Sequence, residues 1–153
     1  MTKRHCQMKH DQKQTLIKIL LSFVTLGYCL VMPVVDLNST HLFHPDWSLH
    51  ARLHLVWSVT SFTLIGWYCF FLLWFSDISF NIRVNVVTAI GLAINFGFLM
   101  SALTKPLYGG ELADEISGVP DLLGGYDANL IFVCFAVCIV FLAIWLQRRK
   151  SVG

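Results

Sequence analysis

The residues of this sequence best suited to chemistry are imidazoles. His41, His44, His50 and His54 stand in the pattern H-x2-H-x5-H-x3-H, out of 6 histidines in the chain. His50 and His54 are four apart, so on a helix capped by Ser48 they share one face about one turn apart, and both rings can hold one metal ion. Catalytic zinc takes three protein ligands and keeps a position open for water. His50, His54, one of His41 or His44, and a carboxylate from a neighbouring connection meet that demand, and the ligand set expected here is His41, His50 and His54 around a divalent ion such as zinc. No H-E-x-x-H pattern is present, and Arg52 places a cation between the two helical histidines.

Two other uses fit the same residues. In the first, the polar side chains are a brace: they cap helix ends, His44 serves the turn at Pro45, and Arg52 pairs with Asp36, Asp46 or an acid of the second long connection. In the second they form a metal-free pocket in which His and Arg hold an anion or move protons, histidine being the side chain that titrates near neutrality. The candidate catalytic residues are then His50, His54 and Arg52, with Arg52 fixing an anionic group.

From His54 the same helix face continues to Ser58 and Ser61, a polar stripe that runs into an apolar segment. Lipid would leave it unsatisfied, so it is expected to face protein, opposite Asn85, Thr88 and Asn95 of the following helix. The result is a narrow polar recess lined by Asn38, His41, Trp47, Ser58, Asn95 and Asp121. The long second connection, 104–127, is its candidate cover. Gly109-Gly110, Gly118-Val119-Pro120 and Gly124-Gly125 prevent one continuous helix there, although a short amphipathic piece from Leu112 to Ile116 is compatible with the sequence.

The elements that must position these residues follow from composition. Of 153 residues, 56% are hydrophobic and 13% charged, more apolar surface than one small water-soluble core can hide. A hydrocarbon layer about 30 Å thick takes roughly 20 apolar residues per helix. Four such stretches occur, Leu16–Val35, Leu53–Phe75, Val84–Leu103 and Ala128–Leu146. The expected fold is all-α: a single four-helix, up-down membrane bundle, with connections 36–52 and 104–127 at one end. The basic start suits a signal peptide, but Met32, Pro33, Val34, Val35 and Asp36 follow the first apolar run where small residues would be needed for cleavage, so this helix is expected to remain.

Basic residues resist translocation. Nine of the 11 Lys and Arg residues lie in or beside the tails and the short turn 76–83, which predicts that both termini are cytoplasmic, in a plasma or bacterial inner membrane. The acids Asp36, Asp46, Glu111, Asp114, Glu115, Asp121 and Asp127 collect at the opposite end. The basic tails therefore suit anionic lipid headgroups, and no basic surface with interleaved aromatics points to nucleic acid. Trp47, Trp74 and Trp145 suit membrane interfaces. Cys29, Cys69, Cys134 and Cys138 lie within spans and neither long connection holds a cysteine, a pattern that speaks against a disulfide framework or thiol oxidoreductase.

The third span repeats small residues at Ala89, Ala93, Gly97 and Ser101, a ridge against which another helix can pack closely. It is the expected contact for a partner helix or a homo-oligomer. The run Asp36-x-Asn38-x-Thr40-His41-x-Phe43-x-Pro45-x-Trp47-x-x-His50-Ala51-Arg52-x-His54 resembles the signature of a group of small four-span membrane proteins of uncharacterised function, N-x-T-H followed by N-P-x-W-x-x-H-A-R-x-H. Here His44 replaces the Asn before Pro45. The resemblance covers these residues and the four-span layout, implies that Asn38, Thr40, His41, Pro45, Trp47, His50, Arg52 and His54 act together, and carries no activity with it. Two functional classes follow: a membrane enzyme or binder of a lipid-like or small amphipathic molecule, and a non-catalytic membrane subunit whose histidine segment is structural or docks a partner.

Overall fold

The computed structural model describes residues 2–112 and 127–149, with side chains from His10 onward. Over those residues it is helical, and four helices are long and apolar enough to cross a membrane: His10–Asp36, Leu49–Phe75, Phe80–Leu107 and Ala128–Arg148. The first is composite, built from α1 (Thr2–Leu26), a π-turn (Gly27–Val31) and α2 (Met32–Asp36). Pro33 explains the interruption: it cannot donate to the carbonyl of Cys29 and its ring crowds that oxygen, so the ladder widens in the preceding turn.

The second and fourth long helices start on side-chain caps. Ser48 Oγ accepts from Ala51 N at 3.1 Å, so α3 (Leu49–Phe75) begins four residues ahead of the apolar stretch and carries His50 and Arg52 on its first turn. α4 (Phe80–Thr104) starts ahead of Val84 and runs on through a short 3₁₀ turn, Lys105–Leu107. Asp127 caps α5 (Ala128–Arg148), its Oδ1 accepting from Leu130 N at 2.8 Å. The expected helical piece at Leu112 to Ile116 lies, but for its first residue, outside the described residues, as do Asp114, Glu115 and Asp121.

Each long helix packs on its chain neighbours and α5 closes onto α1, so the four form a ring in which α1 and α4 also touch across the centre while α3 and α5 do not. The core lies towards the end that carries the tails and the 76–79 turn. Ile17, Leu21, Cys69, Leu73, Val84, Val87, Val140 and Ala143 are all buried there. Trp57 and Leu103, by contrast, are 66% and 75% exposed, a surface that lipid rather than water would solvate.

Among the described helical glycines, the tightest approach of another helix is at Gly66. A Cβ at this position would collide with Cys29 Cβ and lie 3.1 Å from Tyr28 Cε2, so the widened turn of the first helix seats against a bare stretch of α3 backbone. The ridge of Ala89, Ala93, Gly97 and Ser101 plays no such part. All four residues are exposed, and a Cβ on Gly97 would meet nothing within 4 Å. Among the described residues, the glycines that let helices come close are Gly66, against Cys29, and Gly27, against Phe132.

Candidate functional site

At the end opposite the tails, the connection between α2 and α3 folds around one amide. Asn38 Oδ1 accepts from Thr40 N at 2.9 Å, Thr40 Oγ1 at 2.7 Å and His41 N at 3.1 Å, while its Nδ2 donates to Val35 O at 2.7 Å. An Asn followed by Ser-Thr makes this turn because the short side chain replaces backbone partners. Thr40 gives its one hydroxyl hydrogen to Asn38, so its 3.0 Å contact with His41 Nδ1 assigns a proton to that nitrogen. The His41 ring meets Trp47 edge-on, centroids 6.4 Å apart.

His44 is the buried member of the cluster, 9% exposed. Its Nδ1 accepts from Asp46 N at 3.3 Å, and its carbonyl accepts from Trp47 N at 3.2 Å and from Arg52 Nη2 at 2.8 Å. Arg52 thus holds the loop through a backbone oxygen. Among the described residues it makes no ion pair with Asp36 or Asp46, and its buried Nε has no hydrogen-bond partner. Asn38, Thr40, His44 and Arg52 together form a brace that pins the connection onto the first turns of α3.

His50 and His54 make no side-chain hydrogen bond to this knot. Both are exposed, and their Nε2 atoms approach to 3.0 Å with the ring planes at 89°. His54 also lies 6.0 Å from the Trp57 ring. The expected ligand trio is not assembled: His41 is drawn into the Asn38 turn and onto Trp47, and among the described residues no three His, Cys, Asp or Glu side chains converge on a point that could hold a metal.

The polar stripe below His54 also has a different outlook from the one expected. Trp47, His54, Ser58 and Ser61 line an open groove of about 640 Å³ on α3, walled by Trp57 and Phe62. No residue of α4 lines this groove. Ser58 Oγ donates to Leu55 O at 3.0 Å and Thr88 Oγ1 to Val84 O at 2.8 Å, each satisfied on its own helix. That local bond removes the need for a partner across the interface. Asn85 Oδ1 accepts from Gln147 on α5 at 3.1 Å.

Asn95 lies in a second space. A cavity of about 230 Å³ opens among α1, α2, α4 and α5 in the half away from the tails. Its walls are mostly apolar, including Val24, Val31, Ile94, Phe98 and Val133, and the polar side chains on its lining residues are those of Tyr28, Asp36, Asn95 and Asn129. Asn95 is buried and donates Nδ2 to Gly91 O at 2.7 Å. The π-turn shapes the wall: Gly27 leaves room for the ring tip of Phe132, which stands 2.8 Å from where a Cβ would be.

The predicted residues therefore divide three ways. Asn38, His41 and Arg52 belong to the loop knot, Trp47, His54 and Ser58 to the groove with His50 beside it, and Asn95 to the cavity; Asp121 lies outside the described residues. Asp36, Asn129, Phe98 and Phe132 were not anticipated as lining residues. The available signal was Gly27 and Pro33 within one apolar span, an interruption that in membrane helices frequently lines a cavity. No family model, curated protein or solved structure matches this chain.

Proposed function

We propose that this protein is a multi-pass membrane protein that binds a small, lipid-like amphipathic molecule in the cavity among its first, third and fourth spans, with the loop end facing away from the cytoplasm. The carrying observation is the chemistry of that cavity: apolar walls from three helices with few polar side chains, those of Tyr28, Asp36, Asn95 and Asn129. This is the ordinary pattern of a small-molecule site, an apolar surface with a few polar groups to orient the ligand. A dry cavity of about 150 Å³ already admits benzene, so the 230 Å³ here accommodates a substituted ring or a short acyl segment. Asp36, at the end of α2, suits a cationic or hydrogen-bond-donating head. The side assignment rests on the basic tails.

The test is binding of a dansyl-labelled fatty amine to the purified full chain in detergent. Wild type should bind saturably with a rise in dansyl emission, and Val133→Trp, which fills the cavity, should bind at least about tenfold more weakly, a loss of about 1.4 kcal/mol. Ile94→Phe, filling from another wall, should do the same while the melting temperature of one of the two stays near wild type. Equal binding by wild type and both variants, or none by wild type, would overturn the reading.

The outward-facing ridge Ala89, Ala93, Gly97 and Ser101 favours a second reading, a membrane subunit that docks a partner helix or another copy of itself there. The two readings use different faces of α4.

A further inference from the structure

The contact between His50 and His54 places two imidazole nitrogens within reach of a single ion. Two neutral imidazoles meeting Nε2 to Nε2 at 3.0 Å share one hydrogen bond, one ring donating and the other accepting. A metal ion uses both nitrogens as lone-pair donors instead. With metal–nitrogen bonds of about 2.0–2.1 Å, two nitrogens at that spacing subtend about 94° at the ion, the angle between neighbouring ligands of a tetragonal field and well short of the roughly 109° of a tetrahedron.

The surroundings are open to such an ion. Both rings are exposed at the loop end, on the first two turns of α3, so the remaining coordination positions are free for water or an added ligand. Arg52, the nearest cation in sequence, is turned aside, its Nη2 held on the carbonyl of His44 at 2.8 Å. Imidazole pairs suit copper, nickel and zinc, tetragonal geometry favours the first two, and copper(II) binds most tightly of the series. We infer that His50 and His54 form a two-imidazole chelate for a tetragonal divalent ion, copper(II) foremost, at the loop-end surface.

The site is independent of the cavity proposed above, and its test separates the two. The full chain, free of any histidine tag, is titrated with copper(II) in detergent, following its tryptophan fluorescence, to which Trp57 contributes with its ring 6.0 Å from His54, and the paramagnetic resonance spectrum of the bound ion. Wild type should bind one equivalent, lose part of its tryptophan emission and show coupling to two nitrogens. His50→Ala and His54→Ala should each weaken binding at least about tenfold, since loss of a ligand costs no less than loss of an outer-shell partner. His41→Ala and Val133→Trp should bind as wild type does. Absence of saturable binding, undiminished binding by His54→Ala, or zinc binding more tightly than copper would overturn the assignment.

Discussion

The two ends of the bundle are held in different ways. At the tail end, side chains join one helix to another: Trp74 Nε1 donates to Ser22 Oγ at 2.8 Å beneath Lys18, whose ammonium sits 4.3 Å from the indole centroid, and Gln147 reaches Asn85. Arg83 Nη1 lies 3.0–3.4 Å from the carbonyls of Ser76, Leu73 and Leu72, closing the end of α3 from the start of α4. At the loop end, no described side-chain hydrogen bond links two long helices. The Asn38 turn, the Arg52 anchor and the His50–His54 pair are all local. Both the cavity and the groove are at this end. The tail end keeps a smaller space of about 170 Å³ beside His10, Lys13 and Gln147, so a fold cross-bonded at one end leaves more room at the other.

The largest expected effect lies where the packed half meets the open half. Gly66→Val should destabilise the protein by about 3 kcal/mol or more, seen as a large fall in melting temperature in detergent, because the new side chain must displace Cys29 and Tyr28. A variant that melts like wild type would show that α3 and the π-turn are not locked together. Next come the two arginines. Arg83→Met should cost about 2 kcal/mol, since it removes charged bonds to carbonyls across a helix boundary. Arg52→Met should cost about 1 kcal/mol and speed proteolysis or hydrogen exchange in residues 37–48 alone. Equal losses from the pair would erase the contrast between the ends. The smallest effect on folding is expected from Gly97→Leu, which enters open space and should leave the stability of the monomer within about 0.5 kcal/mol of wild type. If the ridge docks a partner, the same variant should abolish cross-linked oligomers in the membrane.

Much of the fold was legible because its signals are local. The apolar stretches need only composition and length to read, and the Ser48 cap and the facing of His50 and His54 follow from helical spacing. The brace was one of three readings open to the histidine segment, and the Asn38 turn and the His44 carbonyl accepting from Arg52 are contacts of that kind. The divided pocket was not legible. Ser58 and Asn95 are both polar residues inside apolar helices, and periodicity alone set them face to face. Each instead bonds a carbonyl of its own helix, Leu55 and Gly91, and is free to point elsewhere. Nor does a four-residue repeat distinguish a ridge used inside the chain from one left on its surface. Ala89 and Gly97 are on the surface, and the close approach goes to Gly66, which belongs to no repeat.

By itself, the sequence determined the number and type of the helices, the polarity of the two ends and the pairing of His50 with His54, since each depends on residues close together along the chain. The tertiary structure alone decided that Pro33 and Gly27 would shape a cavity wall, that Asp36, Asn95 and Asn129 would meet around it, and that His41 would be kept from the histidine pair. Those outcomes depend on which helix lies beside which and on how each is rotated about its axis, quantities set by the summed packing of all four.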